Sequence, residues 1–169
     1  HTIGSIVDIN NIAPDTSFIH HFSVQYERIK DFTSKVIGCN QHAMQSIPAL
    51  FGSSAFIDFI HQMQLSISGA DISFAAPLAL DAKVPQGEVR VSDMFNLYRY
   101  ENQLYVVKLT GREVKDYLEY SYSLWINQMH SASDHLLLFR SDAETLSNPW
   151  QRLQNPCYNF DSAMGICYT

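Results

Sequence analysis

Apolar residues recur at helical spacing in three stretches of this chain. Phe18, Phe22, Ile29, Phe32 and Val36 fall on one side of a helix predicted over residues 16–36, opened by Asp15 as its cap and ended by Gly38. A second helix is expected to begin near Ser53 or Ser54 and to bury Ala55, Ile57, Phe59, Ile60, Met63 and Leu65. A third, over residues 111–128, opens on the capping box Thr110-x-x-Glu113 and turns Val114, Leu118, Ser121 and Trp125 inward. Ser92 is placed to cap a short helix running to Asn96.

Between these stretches the pattern tightens to that of strands. Residues 71–75 read as a buried strand stopped by Pro77, and residues 88–91 and 104–109 as two more, the last alternating imperfectly. Residues 157–160 and 166–169 are expected to pair around a turn at 161–165. Residues 1–14 read as an extended arm and residues 39–44 as a short strand or loop. Residues 130–156 are polar, are punctuated by Asn148-Pro149 and Asn155-Pro156, and read mostly as loop. Strands interleaved with helices predict an α/β (α+β) fold, a mixed sheet flanked by helices, in a single domain over residues 1–169.

Composition narrows the partners. Apolar residues make up 46% and charged residues 17% of the 169, which suits a packed core. Eleven basic against seventeen acidic residues give a formal charge of −6, so no nucleic-acid polymer is expected as a partner. No apolar run reaches the roughly 20 residues of a membrane span. The opening His1-Thr2-Ile3-Gly4 has neither the basic nor the apolar segment of a leader, so the chain reads as mature, internal or trimmed. Cys39, Cys157 and Cys167 make no disulfide framework. Cys157 and Cys167 flank the expected turn and either face each other or remain reduced thiols, the commoner outcome.

Candidate chemistry is sparse. His20 and His21 are helical neighbours about 100° apart, and His42, His61, His130 and His135 lack ligand spacing, so the histidines read as surface or packing residues. Ser53-Ser54 sits where serine caps a helix, and there is neither a Gly-x-Ser-x-Gly elbow nor a Gly-x-Gly-x-x-Gly loop. The informative run is Tyr100-Glu101-Asn102, then residues 104–109, then the helix at Thr110. A ring and a carboxamide two residues apart on a braced loop can offer a stacking face with donor and acceptor atoms to a flat heteroaromatic ligand. The plainer alternatives are a tyrosine that packs and an asparagine that stabilises its own turn.

That run, with Leu109-Thr110-Gly111-Arg112-Glu113-Val114, Gly69-Ala70-Asp71-Ile72-Ser73, Ala75-Ala76-Pro77, Val84-Pro85-x-Gly87 and Tyr158-Asn159-Phe160-Asp161, resembles the C-terminal domain of the 5'-nucleotidase superfamily. The nearest likeness is to the 2',3'-cyclic-nucleotide 2'-phosphodiesterase/3'-nucleotidase branch, and it runs from about Ser54 to the last residue. The resemblance implies a nucleoside-recognition domain of an exported, periplasmic or extracellular phosphoric ester hydrolase acting in nucleotide catabolism. Tyr100 would stack on the base and Asn102 would contact base or ribose. Two divalent metal ions would sit in an N-terminal metallophosphoesterase domain absent from this chain, which alone is expected to be inactive and to hold no cofactor. Its partners would be a nucleoside or nucleotide and that missing domain. Relatives continue beyond the Tyr-Asn-Phe-Asp hairpin, so the domain is expected to be truncated at Thr169, with a sheet edge that invites a dimer.

Two departures qualify the resemblance. Where 5'-nucleotidases carry Asn-Gly-Gly-Gly-Ile-Arg, this chain has Ala76-Pro77-Leu78-Ala79-Leu80-Asp81. The glycine cradle and its cation are gone, and Asp81 would repel a phosphate, so that role is not transferred. The glycine-rich continuation of the cyclic phosphodiesterase branch is missing too. The alternatives are a non-catalytic protein-interaction module or a binder of another small metabolite.

Overall fold

The computed structural model describes residues 4, 6, 8–10 and 12–168, leaving aside the side chains at 149 and 150. Contacts divide the chain into two units, residues 1–35 and 36–169. The first contains α1 (Thr16–Thr33). Asp15 caps it as expected, its carboxylate accepting from the Ser17 and Phe18 N–H groups at 2.9 and 3.1 Å. Those bonds and the Ser17 hydroxyl hold the carboxyl below its ordinary range. The helix stops three residues earlier than Val36, because residues 36–40 are drawn into a strand and Gly38 lies within it. Six of the arm's positions, 1, 2, 3, 5, 7 and 11, lie outside the described residues.

The second unit mixes helices with strands, as predicted, and distributes its strands over three antiparallel ladders. β1 (Val36–Asn40) pairs with β5 (Gly87–Arg90), β2 (Met44–Gln45) with β4 (Lys83–Val84), and β3 (Ser73–Ala75) with β6 (Ser162–Met164). α2 (Ala55–Ser68) packs on β2, β3 and β6. α3 (Val91–Leu97) packs on β4 and β5, and α4 (Gly111–Ser123) on β6.

Two apolar clusters form the interior. Phe56, Ile57 and Ile60 of α2 meet Ala75, Val84, Val89 and Leu97 in the first. Leu50, Trp125, Leu137, Leu153, Cys157 and Phe160 make the second, in which the Trp125 and Phe160 rings stack 5.3 Å apart at 11°.

Several elements depart from expectation. In α2 Ile57 and Ile60 are buried as predicted, but Phe56 and His61 join them, while Ala55, Phe59 and Met63 are exposed. α3 begins one residue before Ser92, and it is Asp93, accepting from the Arg90 N–H at 2.7 Å, that closes its first turn. α4 ends at Ser123 rather than 128, although Leu118, Ser121 and Trp125 are buried as predicted. Residues 104–109 form no ladder among the described residues. Cys157–Asn159 is a 3-10 turn, and the strand of this region is Ser162–Met164, which reaches back to β3 instead of pairing with 166–169. Thr169 lies outside the described residues. Cys157 is buried, Cys167 is exposed and both are free thiols.

Candidate functional site

The loop after α3 is short and fastened by its own side chains. The Tyr98 N–H donates to the Met94 carbonyl at 2.9 Å, ending the helix, and the Asn102 amide donates from Nδ2 to the Tyr98 hydroxyl at 3.1 Å. The five residues 98–102 are thereby drawn into an arch with Tyr100 at its middle. Tyr100 is 51% exposed, and among the described residues no other aromatic ring pairs with it. Its ring therefore offers a face to solvent instead of being sealed in either cluster. The bond to Tyr98 uses only one face of the Asn102 amide, so its carbonyl oxygen can still accept from a ligand.

The other end of the segment is held by the capping box. Thr110 N–H donates to Glu113 Oε2 at 2.7 Å, and Glu113 N–H donates to Thr110 Oγ1 at 3.3 Å. The bond from the Thr110 backbone, then that from its hydroxyl, keep the Glu113 carboxyl below its ordinary range. Residues 98–110 are thus tied at both ends, by Tyr98–Asn102 and by Thr110–Glu113.

The stretch that replaces the glycine cradle is built into the core. Ala75, Ala76 and Pro77 are buried. Ser46, fully buried, stitches the loop down: its hydroxyl donates to the Leu80 carbonyl at 2.7 Å and accepts from the Ala82 N–H at 3.1 Å. Asp81 stays exposed at the turn. Burial pushes the Cys157 thiol up, Asp81 pushes it further and Arg99 draws it down. Arg99, beside Tyr100 in sequence, is a cation in this neighbourhood that the motif comparison passed over, because it stands outside the aromatic-x-Asn pattern. Ser46 carried no signal in the sequence at all.

The grooves of about 530 and 760 Å³ that flank residues 104–109 and α4 are lined by other residues, such as Leu109 and Val114, and by neither Tyr100 nor Asn102. The candidate loop instead holds the Tyr100 ring half-exposed at the surface.

Among the described residues no three His, Cys, Asp or Glu side chains come together as a metal site. Among the described residues His61 is the one buried histidine. Its Nδ1 lies 3.0 Å from the Ser73 hydroxyl, which donates to Gln64 Oε1 at 2.5 Å, and its Nε2 lies 3.2 Å from the Ser162 hydroxyl. With Ser73 spending its proton on Gln64, Nδ1 is the side that donates to Ser73, and the Ser162 hydroxyl lies between Nε2 and the Ala75 carbonyl, 3.4 Å away. The set ties α2 to both strands of the β3–β6 ladder, with His61 buried and Gln64 and Ser73 reaching the wall of the smaller groove.

The 5'-nucleotidase C-terminal domain family matches residues 33–168, and the chain belongs to it. The trifunctional nucleotide phosphoesterase protein YfkN of Bacillus subtilis is 37% identical over 90 residues, half of this chain and 5% of that protein. The 2',3'-cyclic-nucleotide 2'-phosphodiesterase/3'-nucleotidases of Salmonella typhimurium and Yersinia enterocolitica are 27% and 28% identical over 92% of this chain and 26% of theirs. A chain from Staphylococcus aureus assigned as a 5'-nucleotidase and solved with alpha-ketoglutarate shares the fold, with a TM-score of 0.63 and 17% identity over 93% of this chain and 28% of that one. The chain thus spans about a quarter or less of the length of the relatives it matches, and those curated relatives are nucleotide phosphoesterases.

Proposed function

We propose that this chain is the nucleoside-recognising part of a metal-dependent nucleotide phosphohydrolase, a 5'-nucleotidase or a 2',3'-cyclic-nucleotide 2'-phosphodiesterase/3'-nucleotidase. The observation that carries the reading is the half-exposed Tyr100 ring on an arch closed by the Asn102–Tyr98 hydrogen bond. Family membership and the phosphoesterase relatives support the substrate class. In this reading Tyr100 stacks on the base, Asn102 Oδ1 accepts from a base or ribose donor, and Arg99 supplies positive charge beside them. Asp81 turns phosphate away from its own loop, which favours delivery of the phosphoester to another domain. There two divalent ions would clamp the attacking and leaving oxygens. The enzyme would act outside the cytoplasm, in the periplasm or beyond.

Titration calorimetry of nucleosides against the full chain tests this. Base stacking contributes on the order of 1–3 kcal/mol, so Tyr100→Ala should weaken binding roughly 5- to 150-fold. Its melting temperature should stay that of the parent, because the ring supports neither cluster. Equal affinities in variant and parent would remove the stacking role.

A further inference from the structure

Two lengths of unpaired backbone face each other across one groove. Among the described residues, no backbone–backbone hydrogen bond involves positions 99–109. β3 is paired on one side alone, with β6, and outside that ladder no such bond involves residues 71–75. A groove of about 530 Å³ lies between them, with residues 71–74 along one wall and 104–109 along the other. Successive side chains of a strand point to opposite faces. A wall that takes in consecutive residues of β3 is therefore its backbone edge and not one of its side-chain faces. No residue of β6 lines the groove, so the edge of β3 that meets it is the unpaired one.

We propose that residues 104–109 are a strap that closes this groove, adding to the free edge of β3 as a third strand beside β3 and β6. Tyr105, Val106 and Val107 are 76, 63 and 67% exposed, between exposed Leu104 and Leu109. Aromatic and β-branched residues of this kind suit a pleated, half-buried surface. Spread along a six-residue strand about 20 Å long, the groove is on the order of 5 Å across, close to the ~4.8 Å between neighbouring strands. Closing it asks for a shift of about one strand spacing. The strap is fastened at both ends, through Asn102 to Tyr98 and through Thr110 to Glu113, and both walls belong to the second unit. Its docking is therefore intramolecular and costs less chain entropy than recruiting a separate molecule to the same edge. Closure would cover a strand edge that is otherwise open to pairing with other chains.

In a strand the N–H groups of neighbouring residues point to opposite edges. A strap paired on one side alone should therefore protect every second amide of residues 104–109. Amide hydrogen exchange of the full chain without nucleoside reads this pattern, independently of recognition at the arch. Alternate amides should exchange more slowly than in a free peptide, by a factor on the order of ten or more, and equally at every chain concentration. Val106→Pro and Val107→Pro each delete one N–H at an exposed position. One of the two removes a ladder bond and should return the strap to free-peptide rates, while the other should leave the pattern intact. Free-peptide exchange throughout 104–109 in the parent would overturn the proposal. So would protection that appears only as concentration rises, which belongs to a second copy, or an equal effect of the two proline variants.

Discussion

Gly165 shows how one residue can fix a strand pair. Its φ of 102° lies where side chains are strongly disfavoured, and a Cβ built there would stand 2.1 Å from the Asp71 carbonyl oxygen. That contact lets the chain leave β6 directly over the start of β3, with no room for a methyl group. Gly165→Ala should cost at least about 1–3 kcal/mol from conformation alone, with the clash added, and urea unfolding measures it. His61 behaves differently, because its effect follows pH. Burial lowers its pKa below the ordinary 6.5, against a smaller upward pull from Asp58. A base whose folded value is depressed stabilises the fold fully above its unfolded pKa, and loses that contribution as pH falls below 6.5 toward the folded value. Unfolding free energy should therefore fall between pH 6.5 and the carboxylate range, and His61→Gln should flatten that slope. A slope unchanged in the variant would assign the loss to other groups. Asp161 works in the opposite sense: burial raises its carboxyl, against a smaller lowering by the hydroxyl of Tyr117, so its contribution fades as pH rises through its folded value.

At the scale of elements, what was legible followed from local chemistry. Asp15 and the Thr110–Glu113 box name their helix starts because a cap acts within three residues. What was illegible depended on distant partners. α2 carries apolar residues on more than one face, so periodicity could not decide between Phe56 and Phe59, and the packing of β3 and β6 against it did. Residues 104–109 have the composition of a strand, yet a strand needs a neighbour and none among the described residues supplies one. Leu137 and Leu153 enter the second cluster from a stretch whose polarity disguised them. The arch at Tyr100 and Asn102 was legible as a motif, whereas its Tyr98 clasp and the Ser46 stitch lie in side-chain contacts that no spacing encodes. Trp125 offers a test at this scale. It is buried just past α4, stacked on Phe160, and among the described residues its indole N–H has no partner. Trp125→Ala should cost about 3–5 kcal/mol. Trp125→Phe should cost much less, because it keeps most of the stacking area and removes a buried donor that pays roughly 1–3 kcal/mol for going unmet. Paired denaturation curves would show the difference.

Across the second unit as a whole, the two clusters are joined through the turn Ile47–Leu50. Ala49 belongs to the first cluster and Leu50, the next residue, to the second. The neighbouring loop divides in the same way, with Ala79 and Ala82 packed into the first and Leu80 against the second. Ser46 fastens that loop to the turn by two hydrogen bonds. The arch at 98–102 follows directly on Leu97, a member of the first cluster. Adjacent peptide units at 49 and 50 are therefore committed to opposite interiors, like one hinge pin shared by two doors. A change that displaces this turn is therefore felt in both interiors.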